Sequence, residues 1–261
     1  MSLMKTFHFF VGLPRSGGTV LSSILNQNPN VHVASTTAMF EVLKAVDETW
    51  HKTPTMIANP IPEQLTNVTR AVISSMWEHR SEPIIIDRNR AWGSNMPFAQ
   101  KVFEKDIKVF TTTRDLPSAM ASWATLYKKE NPNANQSDVE RYVKEMWKNF
   151  VEPSTKSIID LVKHSDVLLI DYDDFINDTV EQLSRIETFL DLPKHTYDLE
   201  NIEGDFQEKN IVPFGPKNMH YIRSKIEKIS VPAEEELGPT LFEHFKNLDE
   251  KYKSELHHGN H

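Results

Sequence analysis

Residues Phe7–Leu25, FHFFVGLPRSGGTVLSSIL, decide how the rest of the chain is read. Phe7–Val11 is a short apolar run suited to a buried parallel strand. Val20, Leu21, Ile24 and Leu25 then recur at helical spacing until Asn28-Pro29-Asn30 stops the helix. Between strand and helix, Gly12, Gly17, Gly18 and Thr19 fill the frame G-x-x-x-x-G-K-[ST]. Such a turn cradles an anion with its backbone amides and the N-terminus of the following helix. The glycines let the backbone approach that anion closely. Arg15 can grip two oxygens with its planar fork, and Ser16 and Thr19 add hydroxyl donors. Gly18, however, stands where the frame has lysine.

Composition narrows the classes. With 261 residues, 39% hydrophobic and 25% charged, the chain can bury a sizeable core and form one α/β domain, 1–261, with a frayed tail from 255. A net charge of -8 argues against a general nucleic-acid partner. The absence of cysteine excludes disulfides, thiolate metal sites and cysteine nucleophiles. No apolar run is long enough for a membrane span, and Met1–Lys5 has no signal-peptide core, so a cytoplasmic protein without a membrane partner is expected. The His-containing tail, His257–His261, is read as no metal site, so no metal is expected.

Apolar runs at Val31–Ala34, Pro83–Asp87, Ile107–Thr112 and Val167–Ile170 read as further strands. Helical patterns fall between them: 39–50, 65–77, 96–103, 116–127, 139–150, 158–162 and 176–190, with a last one over 237–252. Thr53–Pro62, with three prolines, reads as a loop. Asp115 and Pro117 suit a helix start. Strands alternating with helices predict a mostly parallel central sheet flanked by helices.

The missing lysine bears on function. In phosphoryl transfer that lysine offsets charge on the β- and γ-phosphates beside a magnesium ion. A sulfuryl group carries one less charge than a terminal phosphoryl group and can be moved without that arrangement. GLPRSGGTVLSSIL resembles the 5′-phosphosulfate loop of the sulfotransferases, above all the tyrosylprotein and related bacterial branch with its P-R-S-G-[GT]-T core. VFTTTRDLPSAMASW resembles the family's 3′-phosphate element: a strand, then Arg114, then Ser122 eight residues on. LLIDYDDFINDTVEQLSRIETFLDLP is similar to a third family segment, with Tyr172 in the tyrosine place. The resemblance implies a fold like that of the P-loop nucleotide kinases. It implies 3′-phosphoadenosine 5′-phosphosulfate (PAPS) as co-substrate, held by Arg15, Ser16, Gly17, Gly18, Thr19 and Val20 at one end and by Arg114 and Ser122 at the other. The reaction implied is in-line transfer to an acceptor hydroxyl on a small molecule, glycan or peptide.

Each residue also has a structural reading: Arg114 as a surface pair with Asp115, Ser122 as a helix-packing residue, Tyr172 as core. In VPFGPKNMHYIRSKI, Arg223 and Lys225 suit the 3′-phosphate and Tyr221 the adenine, or the stretch is a solvated basic patch. Arg88, in IIIDRNRAW, falls near a lysine of the tyrosylprotein branch and joins Arg15 as the cation set for the leaving phosphate; Arg88 and Arg90 also suit structural ion pairs. The base departs from the family. Where the tyrosylprotein enzymes carry glutamate, this chain has Ser35 and Thr36, which leaves Asp87 and Glu41 as candidates and His32 as a structural histidine. Two other classes stay open. One is a nucleotide or small-molecule kinase, with Ile84–Asp87 as a Walker-B-like strand. The other is a nucleotide-binding protein without activity.

Overall fold

The apolar runs pair into one sheet in the computed structural model, which describes residues 5–34, 37–103, 107–204, 222, 224–227 and 232–258. Its elements in chain order are β1 (Thr6–Phe10), α1 (Gly18–Leu25), β2 (Val31–Val33), α2 (Met39–Lys52), α3 (Pro54–Ala58), α4 (Pro62–Trp77), β3 (Ile84–Arg88), a 3₁₀ segment (Arg90–Asn95) and α5 (Met96–Phe103). Then follow β4 (Val109–Thr113), α6 (Leu116–Glu130), α7 (Gln136–Met146), a π-helical turn (Trp147–Val151), α8 (Glu152–His164), β5 (Val167–Asp171), α9 (Tyr172–Asn177), α10 (Thr179–Leu190), α11 (Ala233–Leu237) and α12 (Pro239–His258). The strand order is β2-β3-β1-β4-β5, and every pairing is parallel.

Side chains alternate across a strand, so each strand feeds two cores. Phe9, Ile85 and Val109 face one layer, closed by α2, α4, α6, α7, α8 and α12. Phe10, Ile86, Phe110 and Ile170 face the other, closed by α1, α9 and α10. The chain leaves β1 toward β3 and β2, then crosses back to β4 and β5. The carboxyl ends of β1 and β4 therefore flank a topological switch point, where open α/β sheets place ligands.

Helix starts follow the expected chemistry. The Asp115 side chain accepts from Ser118 N at 2.8 Å, capping α6, and Asp171 accepts from Asp173 N at 2.8 Å, capping α9. Four sequence expectations are corrected. Thr53–Pro62 is not all loop, because Pro54 at a first helical position starts the short α3. The regions 139–150 and 158–162 join into one run through the π turn. The last helical pattern is two helices, broken at Gly238 with φ 76°. The tail is not frayed from 255: α12 runs to His258 and buries Leu256, because Leu241, Phe245, Tyr252 and Leu256 repeat along its core face.

Candidate functional site

The turn after β1 begins the site. Leu13 N donates to Thr112 O at 2.9 Å, so the chain stays parallel to β4 until it bends. Gly12 packs so closely that a Cβ there would sit 3.0 Å from Thr112 Oγ1. Arg15 has φ 68° and Gly17 φ 79°, two left-handed residues that turn the backbone back on itself. Gly17 caps α1 without any side-chain hydrogen bond, which leaves the first amides of α1 facing the turn.

The Ser16 hydroxyl is buried and committed. It donates to Leu13 O at 2.6 Å and shares a 2.6 Å hydrogen bond with Thr112 Oγ1. It ties the turn to β4, so Ser16 can offer a ligand its backbone rather than its hydroxyl. Val20 sits in the first turn of α1 and packs on the second core.

Register on β3 sorts the two ends of the Asp87–Arg90 run. Arg88 lies opposite Phe10 and Asp87 opposite Phe9, so they emerge on opposite faces. Arg88 reaches the turn, where Nη1 donates to Thr19 Oγ1 at 3.4 Å and the guanidinium lies 5.2 Å over the Phe10 ring. A Cβ on residue 18 would stand 2.8 Å from Arg88 Nη2. The cation absent from position 18 thus arrives in space from β3. Burial, then the charge of Arg90, lowers Arg88 to about 10; burial, then Arg114, lowers Arg15 to about 10. Both stay charged at neutral pH.

The structure brings together Arg15, assigned from the sequence to one end of the donor, and Arg114 and Ser122, assigned to the other. Arg15 Nε donates to Ser122 Oγ at 3.0 Å, and Arg114 Nη1 donates to Arg15 O at 2.9 Å. Tyr172 supports them. Arg114 stacks 4.0 Å over its ring, whose edge would lie 3.1 Å from a Cβ on Gly17. Tyr172 thus braces the turn and Arg114 together.

Asp87 is fully buried, and both its oxygens are occupied. Thr37 Oγ1 donates to Oδ1 at 2.5 Å and Trp92 Nε1 to Oδ2 at 2.6 Å. Burial pushes its carboxyl up to about 6, against the pull of these two hydrogen bonds. Glu41 is exposed in the first turn of α2 and accepts from Asn89 Nδ2 at 3.1 and 3.2 Å. His32 is buried on β2, 5.6 Å from the Trp77 ring. Lys225 is exposed, in a short segment held where Ile202 N donates to Ser224 O. Ser35, Thr36, Tyr221 and Arg223 lie outside the described residues.

Several residues here had no signal in the sequence. Thr37, Asn89 and Trp92 hold the end of β3; Trp123 lies 5.8 Å under Arg15, and Phe150 5.5 Å under Arg90. Among the described residues, no carboxylate pairs with Arg88, Arg90 or Arg114. All three cations lie at the carboxyl ends of β3 and β4. Among the described residues no helix is long and apolar enough to cross a membrane, and no cluster of acids and histidines could hold a metal ion.

Comparison with known proteins gives the family and the fold. The family model for the sulfotransferase family matches residues 8–196. The sulfotransferase domain of the Synechococcus PCC 7002 olefin synthase superposes with a TM-score of 0.53 at 16% identity, over 92% of this chain and 94% of that one. The sulfotransferase domain of the curacin biosynthetic pathway gives 0.55 at 13%, over 95% and 98%. A sulfotransferase from Alicyclobacillus acidocaldarius gives 0.50 at 14%, over 97% and 96%. At these identities the structures speak for the fold, here the P-loop-kinase-like one. Among curated proteins, none matches the chain.

Proposed function

The chain belongs to the sulfotransferase family, and from that premise we propose that it moves a sulfuryl group from PAPS to an acceptor hydroxyl without a metal ion. The observation that carries the reading is the lysine-less turn with Arg88 brought to Gly18. The cations Arg15, Arg88 and Arg114 around the turn support such an anionic donor. The amides of residues 16–19, with Arg15 and Thr19, would hold its 5′ end. Arg114 and Ser122 would hold the 3′-phosphate, with Lys225 and Arg223 of the late segment as further cations.

Transfer breaks the bond between sulfur and the phosphate oxygen as the acceptor oxygen bonds to sulfur. Arg15 and Arg88 would offset the charge growing on the departing phosphate, from fixed positions. The acceptor proton needs a base. Glu41 fits better than Asp87, because it reaches solvent and lies beside the end of β3, whereas Asp87 is sealed beneath Trp92 and Thr37. Asp87 then acts as a positioning residue that anchors the start of α2. We place the whole chain in one domain and the reaction in the cytoplasm.

The test is calorimetric titration with 3′-phosphoadenosine 5′-phosphate and, in parallel, with magnesium-ATP, on wild type, Arg15→Ala and Arg114→Ala. Metal-independent binding of the bisphosphate, lost in both variants, is expected. Binding of magnesium-ATP but not the bisphosphate would move the protein to the kinases.

A further inference from the structure

We propose that Arg90, with Phe150 and Trp123, forms an acceptor subsite for a hydroxyl compound that has a flat apolar body and a negatively charged group. The inference rests on the sulfotransferase reading for the word acceptor, but the site itself is argued from cations left over. The donor has two anionic ends. Arg15 and Arg88 serve one, and Arg114 serves the other. Arg90 is then unassigned, half-buried, and without a carboxylate partner among the described residues.

Its surroundings are built rather than accidental. The backbone of Arg90 is anchored, since Ser157 Oγ donates to its carbonyl at 2.7 Å. Among the described residues its guanidinium has one hydrogen bond, a long one from Nη1 to Phe150 O at 3.4 Å, and it lies 5.5 Å over the Phe150 ring. Most of the five guanidinium donors are therefore uncommitted. Phe150 belongs to the π turn Trp147–Val151, a backbone irregularity that recurs at functional sites.

A line of contacts then runs from Arg90 to the turn. Phe150 stacks on Trp123 with centroids 6.1 Å apart and planes at 28°. Trp123 faces Arg15 at 5.8 Å. Arg88, the like-charged neighbour of Arg90, faces Gly18 and Thr19. Trp123 is 3% exposed, yet its indole N–H has no acceptor among the described residues. A nearly parallel aromatic pair suits a flat body. An anchored arginine suits a carboxylate or a similar acid, through a charge-assisted fork.

The experiment uses 4-hydroxyphenylacetate and its neutral amide, 4-hydroxyphenylacetamide, titrated into the full chain with and without saturating 3′-phosphoadenosine 5′-phosphate. The acid is expected to bind about ten- to a hundredfold tighter than the amide, the span of one charge-assisted contact. Arg90→Gln should erase that preference and leave bisphosphate affinity unchanged, and Arg90→Lys should keep part of it. Equal affinities, no binding of either compound, or a preference that survives Arg90→Gln overturns the proposal. So does loss of bisphosphate binding in a folded Arg90→Gln, which would assign Arg90 to the donor. Failure of the donor reading is seen separately, as absence of bisphosphate binding to wild type. The titration without bisphosphate still reads Arg90 in that case.

Discussion

Replacing Gly18 by alanine should damage catalysis far more than folding. The added Cβ would meet Arg88 Nη2 at 2.8 Å and Arg88 Cζ at 3.1 Å, with Phe10 Cζ also at 3.1 Å. Residue 18 is helical, so alanine brings no backbone strain and a modest gain in helix propensity. The tip of a long side chain can swing away cheaply, and the Phe10 ring need yield by a few tenths of an ångström. The net change in stability should stay within about 1 kcal/mol, at the low end of what overpacking costs. Arg88, however, would leave Thr19 and the turn. Loss of one preorganised group that stabilises developing charge lowers kcat about 10²–10³-fold, or about 2.7–4 kcal/mol. Displacement should forfeit a large part of that and removal all of it. The assay is a double-mutant cycle on sulfuryl turnover with PAPS, with melting curves on each variant. If Gly18→Ala acts through Arg88, it should cost nothing further in an Arg88→Ala background. Additive losses in kcat would refute the reasoning, and so would a Gly18→Ala enzyme with wild-type turnover.

Two further predictions concern the scaffold. Asp87 has its carboxyl raised from 3.8 to about 6 in the folded state, so folding favours its protonated form. Its contribution is fully present below pH 4 and lost as pH rises through about 6, a change of about 3 kcal/mol at 1.36 kcal/mol per pH unit. Denaturant titrations from pH 4 to 7 should show wild type losing that much relative to Asp87→Asn, and parallel curves would contradict it. Leu256→Ala should cost about 2 kcal/mol, near the low end for a buried leucine. A change below about 0.5 kcal/mol in chemical denaturation would return the end of α12 to a frayed tail.

Much of the fold and part of the site were legible because their causes are local. A five-residue strand, a glycine-rich turn and a helix with Val20, Leu21, Ile24 and Leu25 on one stripe are set by neighbours within a few positions. The same holds for Asp115 before α6, and for Arg114 and Ser122, whose spacing spans the end of a strand and two turns of helix. The family followed from that pattern, and the match over 8–196 bears it out.

What only the tertiary structure decided depends on contacts between distant segments. Strand order is one: β1 lies between β3 and β4, a choice made by packing both sheet faces rather than by any one strand. The place of Arg88 is another, since it meets Thr19 across 69 positions and explains why residue 18 has no side chain. Asp87 and Arg88 are adjacent in sequence and both charged, yet pairing with Phe9 and Phe10 sends one into a sealed core and the other to the turn. Glu41 and Asp87 could not be ranked as bases from the chain alone, because burial and hydrogen-bond partners belong to the folded state. The line of contacts from Arg15 through Trp123 and Phe150 to Arg90 draws on four separate segments. Local periodicity determines which strands and helices form; only their packing determines which charges end up facing one another.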